Sequence, residues 1–342
     1  MAITAKTGVL LINLGTPDSP AVPDVRKYLR EFLMDRRVID IPAVNRFFLI
    51  NGVIAPFRAP KSAKVYNELW DEKGSPLLYY GLEIKELLQK QLGDEYLVTF
   101  GMRYQSPSME SALKEMEGLG LEKIIVVPLF PQYASASTGS AVEEFMDIIK
   151  KWEVIPSISV ISKFCDHPLF IKAFAEIGRK YLDTTDYDHI IFTYHGLPER
   201  QIKKSSVSGY CQLSSKCCAT YNAKNKYCYR AQSYETTRLL VKELGIEEGK
   251  YTVCFQSRLG KTPWIKPYTD DIIKELAAQG VKKVLAFSPS FIADCLETTI
   301  EGGVEYKELF EEHGGKHWQL VESLNNHPLW IDCLKEMVLE AR

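Results

Sequence analysis

Short apolar runs that stop at a turn residue recur along the chain, and stretches with helical spacing lie between them. The runs are Val9 to Leu14 before Gly15-Thr16-Pro17, Leu97 to Phe100, Lys123 to Val127 before Pro128, Ile190 to Tyr194, Tyr251 to Phe255, and Val284 to Phe287 before Pro289. Strands that alternate with helices in this way predict an α/β fold built on a mostly parallel, doubly wound sheet. Sheets of that kind bind ligands beyond the carboxyl ends of their strands.

The pattern also repeats. His167-Pro168-Leu169-Phe170 returns as His327-Pro328-Leu329-Trp330, and the strand from Lys123 to Pro128 resembles the segment from Lys283 to Pro289, both at an offset of about 160 residues. Phe100 to Arg103 is matched by Phe255 to Arg258, and Leu14-Gly15-Thr16-Pro17 echoes His195-Gly196-Leu197-Pro198. The expectation is two similar α/β domains, each a mostly parallel sheet flanked by helices, facing each other across a cleft. The first would span 1–160 and be completed by a C-terminal helix over 326–342; the second would span 161–325 and carry an insertion at 205–230.

Composition narrows the class. With 342 residues, 46% hydrophobic and 25% charged, the chain is globular, and disordered or fibrous classes are excluded. A formal net charge of -2 with both signs interspersed leaves no nucleic-acid footprint. No apolar run reaches the ~20 residues that span a bilayer, and the segment from Met1 to Lys6 lacks a signal-peptide core, so a cytoplasmic protein is expected. The apolar stretch from Phe47 to Phe57, flanked by Arg46 and Arg58, reads as core, as a contact for a greasy ligand, or as a peripheral contact with the inner membrane surface. Oligomeric state is left open.

Candidate chemistry gathers at two strand ends. The strand at Ile190 delivers His195 to a turn rich in glycine and proline, where a histidine faces a cleft. The strand ending at Phe287 breaks at Pro289 and runs into Asp294, Glu297 and Glu301, which share a face at spacings of three and four if the segment is helical. One imidazole beside a row of carboxylates can bind a borderline divalent metal and move protons.

Together these motifs resemble the ferrochelatase family over nearly the whole chain. The resemblance rests on Asn13 to Pro17, Gly101 to Tyr104, Pro131-Gln132-Tyr133 with Ser137 to Ser140, Tyr194 to Pro198, Gln256-Ser257-Arg258 with Pro263-Trp264, and Asp294 to Glu301, all in the family's order. It implies insertion of Fe(II), as substrate, into protoporphyrin IX in the last step of haem synthesis, within a porphyrin cleft. It further implies His195 and Glu297 as the catalytic and metal-handling pair, with Asp294 and Glu301 as an acidic relay carrying protons out or iron in. Leu14, Arg58, Lys61, Tyr66, Arg103, Tyr104 and Ser257 fall where the family lines its porphyrin. In this chain Cys295 stands where many relatives have a second histidine. Metallation requires removal of two pyrrole protons, for which a neutral imidazole of ordinary pKa, ~6.5, is a suitable base.

Four of the eight cysteines, Cys211, Cys217, Cys218 and Cys228, cluster after the histidine turn. In a cytoplasmic chain such clustering favours a metal site over disulfides, and the spacing leaves a two-iron two-sulfur cluster, zinc or free thiols open. Cys165, Cys254, Cys295 and Cys333 are scattered and read as packing residues. Competing readings are a chelatase for coproporphyrin or another tetrapyrrole, a porphyrin or haem carrier without catalysis, and a nucleotide-binding enzyme. The last lacks a glycine-rich phosphate turn after the first strand.

Overall fold

A computed structural model describes residues 5–258, 260 and 262–342. The chain divides into two units, one of Met1–Phe130, Ser135–Lys163 and Ile331–Arg342, the other of Pro131–Ala134 and Phe164–Trp330.

The first unit is built on a parallel sheet of β1 (Thr7–Gly15), β2 (Tyr96–Tyr104), β3 (Lys123–Pro128) and β4 (Ser157–Val160), in the spatial order β2-β1-β3-β4. The second repeats that order with β5 (His189–His195), β6 (Tyr251–Gln256), β7 (Lys283–Phe287) and β8 (His317–Leu320), arranged β6-β5-β7-β8. The expected architecture of two similar parallel sheets flanked by helices is what the chain adopts.

The inner strands are apolar throughout because helices cover both faces of each sheet. Val9 to Ile12, Ile124 to Val127 and Val284 to Phe287 are all fully buried. Around the first sheet Leu10, Ile12, Ile124 and Val126 pack with Leu113, Phe145 and Ile149 from helices. Around the second, Ile191, Val284 and Ala286 pack with Ile273, Phe310 and Trp318. Helices at Pro76–Leu92 and Pro168–Leu182 begin with proline, whose fixed φ and missing N–H suit the first helical turn.

The order of strands has a direct consequence for function. In each sheet the chain steps from the second strand in the row to the first and then crosses back over it to the third, so a crevice opens at the carboxyl ends of β1 and β3, and of β5 and β7. His195 closes β5, and the acidic segment follows β7. One topological switch point therefore carries both candidate centres of the second unit.

Candidate active site

His195 is half-buried at the end of β5, opposite Gln256 in β6. Its Nδ1 lies 2.7 Å from the Gly196 carbonyl, which can only accept, so Nδ1 carries a proton and, in the neutral imidazole, the lone pair is on Nε2. The turn is tight enough to need glycine: the Gly196 N–H donates to the Gln256 carbonyl at 2.8 Å, and a Cβ at Gly196 would sit 2.7 Å from that oxygen. Ser290 accepts from the His195 N–H at 3.3 Å, and the Trp264 and Phe291 rings lie beside the imidazole with centroids 6.5 Å away.

The acidic segment is a π-helix, Leu296–Glu305, capped at its start by Cys295. Asp294 therefore lies ahead of the helix instead of on its face, which departs from the helical spacing read from the sequence. Glu301 is fully occupied: it accepts from Gln256 Nε2 at 3.1 Å, the Ser257 N–H at 3.0 Å, the Ser257 hydroxyl, and Tyr306 Oη at 2.8 Å. These bonds hold Ser257 at φ 64, a left-handed conformation that costs a serine. Burial, with the charge of Glu301, pushes the Tyr306 hydroxyl pKa far up, so it stays a donor. The Gln256 amide also donates to the Glu297 carbonyl at 3.0 Å, fixing the first π turn. Burial, and then the charge and hydrogen bonding of Glu297, raises the Cys295 thiol well above its ordinary pKa.

In the first unit Leu14 lies one residue before the end of β1 and, with Tyr66, borders the cluster of Val25, Tyr28, Leu29 and Tyr104. Arg58 and Lys61 are exposed on the helix Ala55–Leu69. Arg103 and Tyr104 belong to a polar knot centred on Asp35, which the sequence did not single out. Arg103 Nη2 and Tyr104 Oη each donate to Asp35 Oδ2 at 2.9 Å, Ser140 donates to the same oxygen, and the Arg37 N–H donates to Oδ1 at 2.6 Å. Burial alone would raise the Asp35 pKa, but the bonds from Ser140, Arg37 and Tyr104 and the charge of Arg103 hold it below the usual value. Tyr104 is wholly buried, so its side chain is part of this knot and has no face for a ligand.

The stretch from Val44 to Phe57 is not core. Phe47, Phe48, Val53 and Phe57 are each more than half exposed, and Ile50 and Ala55 are its buried members. Ala43–Phe48, the π-helix Leu49–Ile54 and Ala55–Leu69 run on as one helical path. No helix among the described residues is long and apolar enough to cross a membrane.

The clustered cysteines converge. Cys217 and Cys218 sulfurs lie 3.9 Å apart, and Arg230 Nη1 approaches the Cys218 sulfur to 3.2 Å. The neighbouring Cys228 thiol, with help from the Arg230 charge, lowers Cys211 and Cys218 to about 6 each, and Cys228 is pushed up in turn. Among the described residues, no group of three or more His, Cys, Asp or Glu side chains has the arrangement of a metal site.

Two parallel α/β sheets of identical order, with a histidine and an acidic π-helix at one switch point, define a protein with the fold of the tetrapyrrole chelatases. Solved structures share that fold at low sequence identity. SirB from Bacillus subtilis with Fe3+ matches with a TM-score of 0.55 at 12% identity, over 98% of this chain and 95% of that one. The sirohydrochlorin chelatase SirB in complex with cobalt, from the subspecies spizizenii, matches at 0.54 and 12% over the same shares. The chain itself belongs to the ferrochelatase family, whose profile matches residues 6–342. The ferrochelatase of Legionella pneumophila strain Lens is 47% identical over 98% of this chain and 99% of its own length. That of Coxiella burnetii strain Dugway is 43% identical over 98% and 94%.

Proposed function

We propose that the chain inserts ferrous iron into protoporphyrin IX to form protohaem, with His195 Nε2 as the base for the pyrrole protons. One observation carries the assignment: the Gly196 carbonyl holds the Nδ1 proton, so the imidazole offers a fixed acceptor at the switch point of the second sheet. Glu297, at the first turn of the π-helix with its carbonyl pinned by Gln256, is the carboxylate on which incoming iron would exchange water for a protein ligand. Asp294 continues that path. Glu301 spends its acceptors on Ser257, Gln256 and Tyr306, so its contribution is to hold the turn after β6 in shape. A rigid wall of strand ends favours a bent macrocycle, which turns nitrogen lone pairs out of the ring plane and lowers the barrier to metal entry.

The exposed apolar face at Phe47, Phe48, Val53 and Phe57, with Arg46, Arg58 and Lys61 nearby in sequence, favours a substrate with apolar edge groups and peripheral contact with a lipid surface. The alternative substrate is coproporphyrin, which carries more carboxylates. The cysteine insertion has donor chemistry that suits a two-iron two-sulfur cluster: four thiols within one insertion, the Cys217 and Cys218 sulfurs 3.9 Å apart, and the Arg230 guanidinium at Cys218 to offset thiolate charge. Cys211, Cys217, Cys218 and Cys228 would hold it, and once bound it would supply a covalent cross-link of the insertion and a one-electron couple.

The test is an anaerobic assay that follows loss of porphyrin fluorescence on adding ferrous iron, for wild type and His195→Ala. Insertion that vanishes in the variant while porphyrin still binds supports the assignment. Porphyrin binding without insertion by wild type, with protoporphyrin and coproporphyrin alike, would make the protein a carrier.

A further inference from the structure

Asp294 sits between β7 and the π-helix, and its carboxylate is held from elsewhere in the second unit. The Ser323 N–H donates to Oδ1 at 3.0 Å and the Asn325 amide to Oδ2 at 2.8 Å. In return the Asp294 N–H donates to Asn325 Oδ1 at 2.9 Å, so the two residues close a reciprocal ring. Asn325 makes this contact from φ 49, in the left-handed region that asparagine tolerates better than most residues.

The first half of the chain shows what the scaffold builds without this pair. At the offset that aligns His167 with His327, Asp294 corresponds to Ala134 and Asn325 to Cys165. Both are small and buried, and neither is among the described residues with positive φ. A π-helical turn, Ser135–Gly139, follows Ala134 all the same. The backbone is also shifted: Phe164 N–H donates to Pro131 in the first half, whereas in the second the matching bond runs from Asn325 to Ile292, one residue further along both segments. The passage from strand to π-helix thus needs neither the carboxylate nor its clamp, and the second half has changed its local register around them.

We propose that Asn325, with the Ser323 N–H, is a positioning residue for metal insertion: it fixes the orientation of the Asp294 carboxylate, leaving each oxygen a lone pair in a set direction behind Glu297. This rests on the ferrochelatase reading. Groups that orient a metal-handling side chain change rate while leaving the fold and the organic substrate's affinity alone.

The experiment compares wild type, Asn325→Gly, Asp294→Asn and the double variant by anaerobic kinetics with ferrous iron varied at saturating protoporphyrin IX. Porphyrin affinity is measured separately by fluorescence. Glycine accepts the left-handed backbone while removing the side chain that carries the amide. The expected result is unchanged porphyrin affinity and melting temperature, with a fall of about ten-fold in kcat/KM for iron in Asn325→Gly. The double variant should be no slower than the slower single variant, because both changes disable one unit. Wild-type iron kinetics in Asn325→Gly would overturn the proposal, as would losses that multiply in the double variant. Should Asn325→Gly not fold, Asn325→Asp keeps the shape without the donor; slow insertion supports the clamp and a wild-type rate overturns it. A wild type that binds porphyrin and inserts no iron would instead remove the ferrochelatase reading, and this proposal with it.

Discussion

His195, the proposed base, has its Nδ1 proton held by one neighbouring carbonyl, and that carbonyl is placed by a glycine. A methyl group at 196 would meet the Gln256 carbonyl at 2.7 Å, a backbone atom that cannot turn aside. Gly196→Ala should therefore lower kcat by about ten-fold or more through displacement of the imidazole, since small misplacements near a reacting group are costly. Steady-state rates set against porphyrin affinity check this. Asp35 lies at the opposite extreme, a buried carboxylate whose role is structural. Asp35→Ala removes the acceptor shared by Arg103, Tyr104 and Ser140, leaving Glu144 at 3.5 Å as the carboxylate partner of Arg103, and should destabilise the protein by about 1–3 kcal/mol, read from urea midpoints. The sign of its pH dependence follows from its lowered pKa. Its stabilisation is present above the ordinary carboxylate pKa, ~3.9, and is lost as pH falls through the lower folded value, so the variant's stability should vary less with pH in that acid range. The histidine was legible as chemistry because it follows a strand and precedes a turn. Asp35 and Asn325 were not, because each acts on residues far away in sequence.

The π-helix Leu296–Glu305 is the element on which the proposed site depends, and Glu301 ties it to the end of β6 through Gln256 and Ser257 and to the following helix through Tyr306. Glu301→Gln replaces an acceptor oxygen with a donor facing other donors. It should destabilise the second unit by about 1–3 kcal/mol, the cost of an unmet buried hydrogen bond, measurable as a lower melting temperature. The acidic spacing was visible in the sequence, yet read as one helical face it misplaced Asp294, since a capping residue and the wider π turn separate it from Glu297 and Glu301. The helical path from Ala43 to Leu69 shows the converse. Its apolar run was plain, but burial depends on what packs against it, and Phe48 and Phe57 are 68% and 73% exposed. Replacing both with serine should reduce co-flotation with anionic vesicles, leaving the melting temperature unchanged.

Across the molecule the same strand order is used twice, but among the described residues it is the second sheet that combines a histidine, a carboxylate clamp and a cysteine insertion at or after its strand ends. Protein purified without air should carry about two irons per chain and a visible absorbance that Cys228→Ser abolishes, if the insertion holds a cluster. About one zinc by elemental analysis assigns the sulfurs to zinc, and neither metal assigns them as free thiols. The apolar runs from Val9 and Ile190 and those from Lys123 and Val284 are strands whatever surrounds them, because a segment buried on two faces must be apolar throughout and end at a breaker. The repeat, the fold class and the family motifs follow from such local patterns. The edge strands Ser157–Val160 and His317–Leu320 left no comparable mark, since half-exposed positions accept polar residues. That Tyr104 is sealed in a knot with Asp35, that Asn325 holds Asp294, and that the turn behind His195 is tied to Gln256 all depend on pairings between segments tens of residues apart. Those pairings exist only once the chain has folded, because a hydrogen bond is set by where two groups meet in space and not by either group's neighbours in sequence.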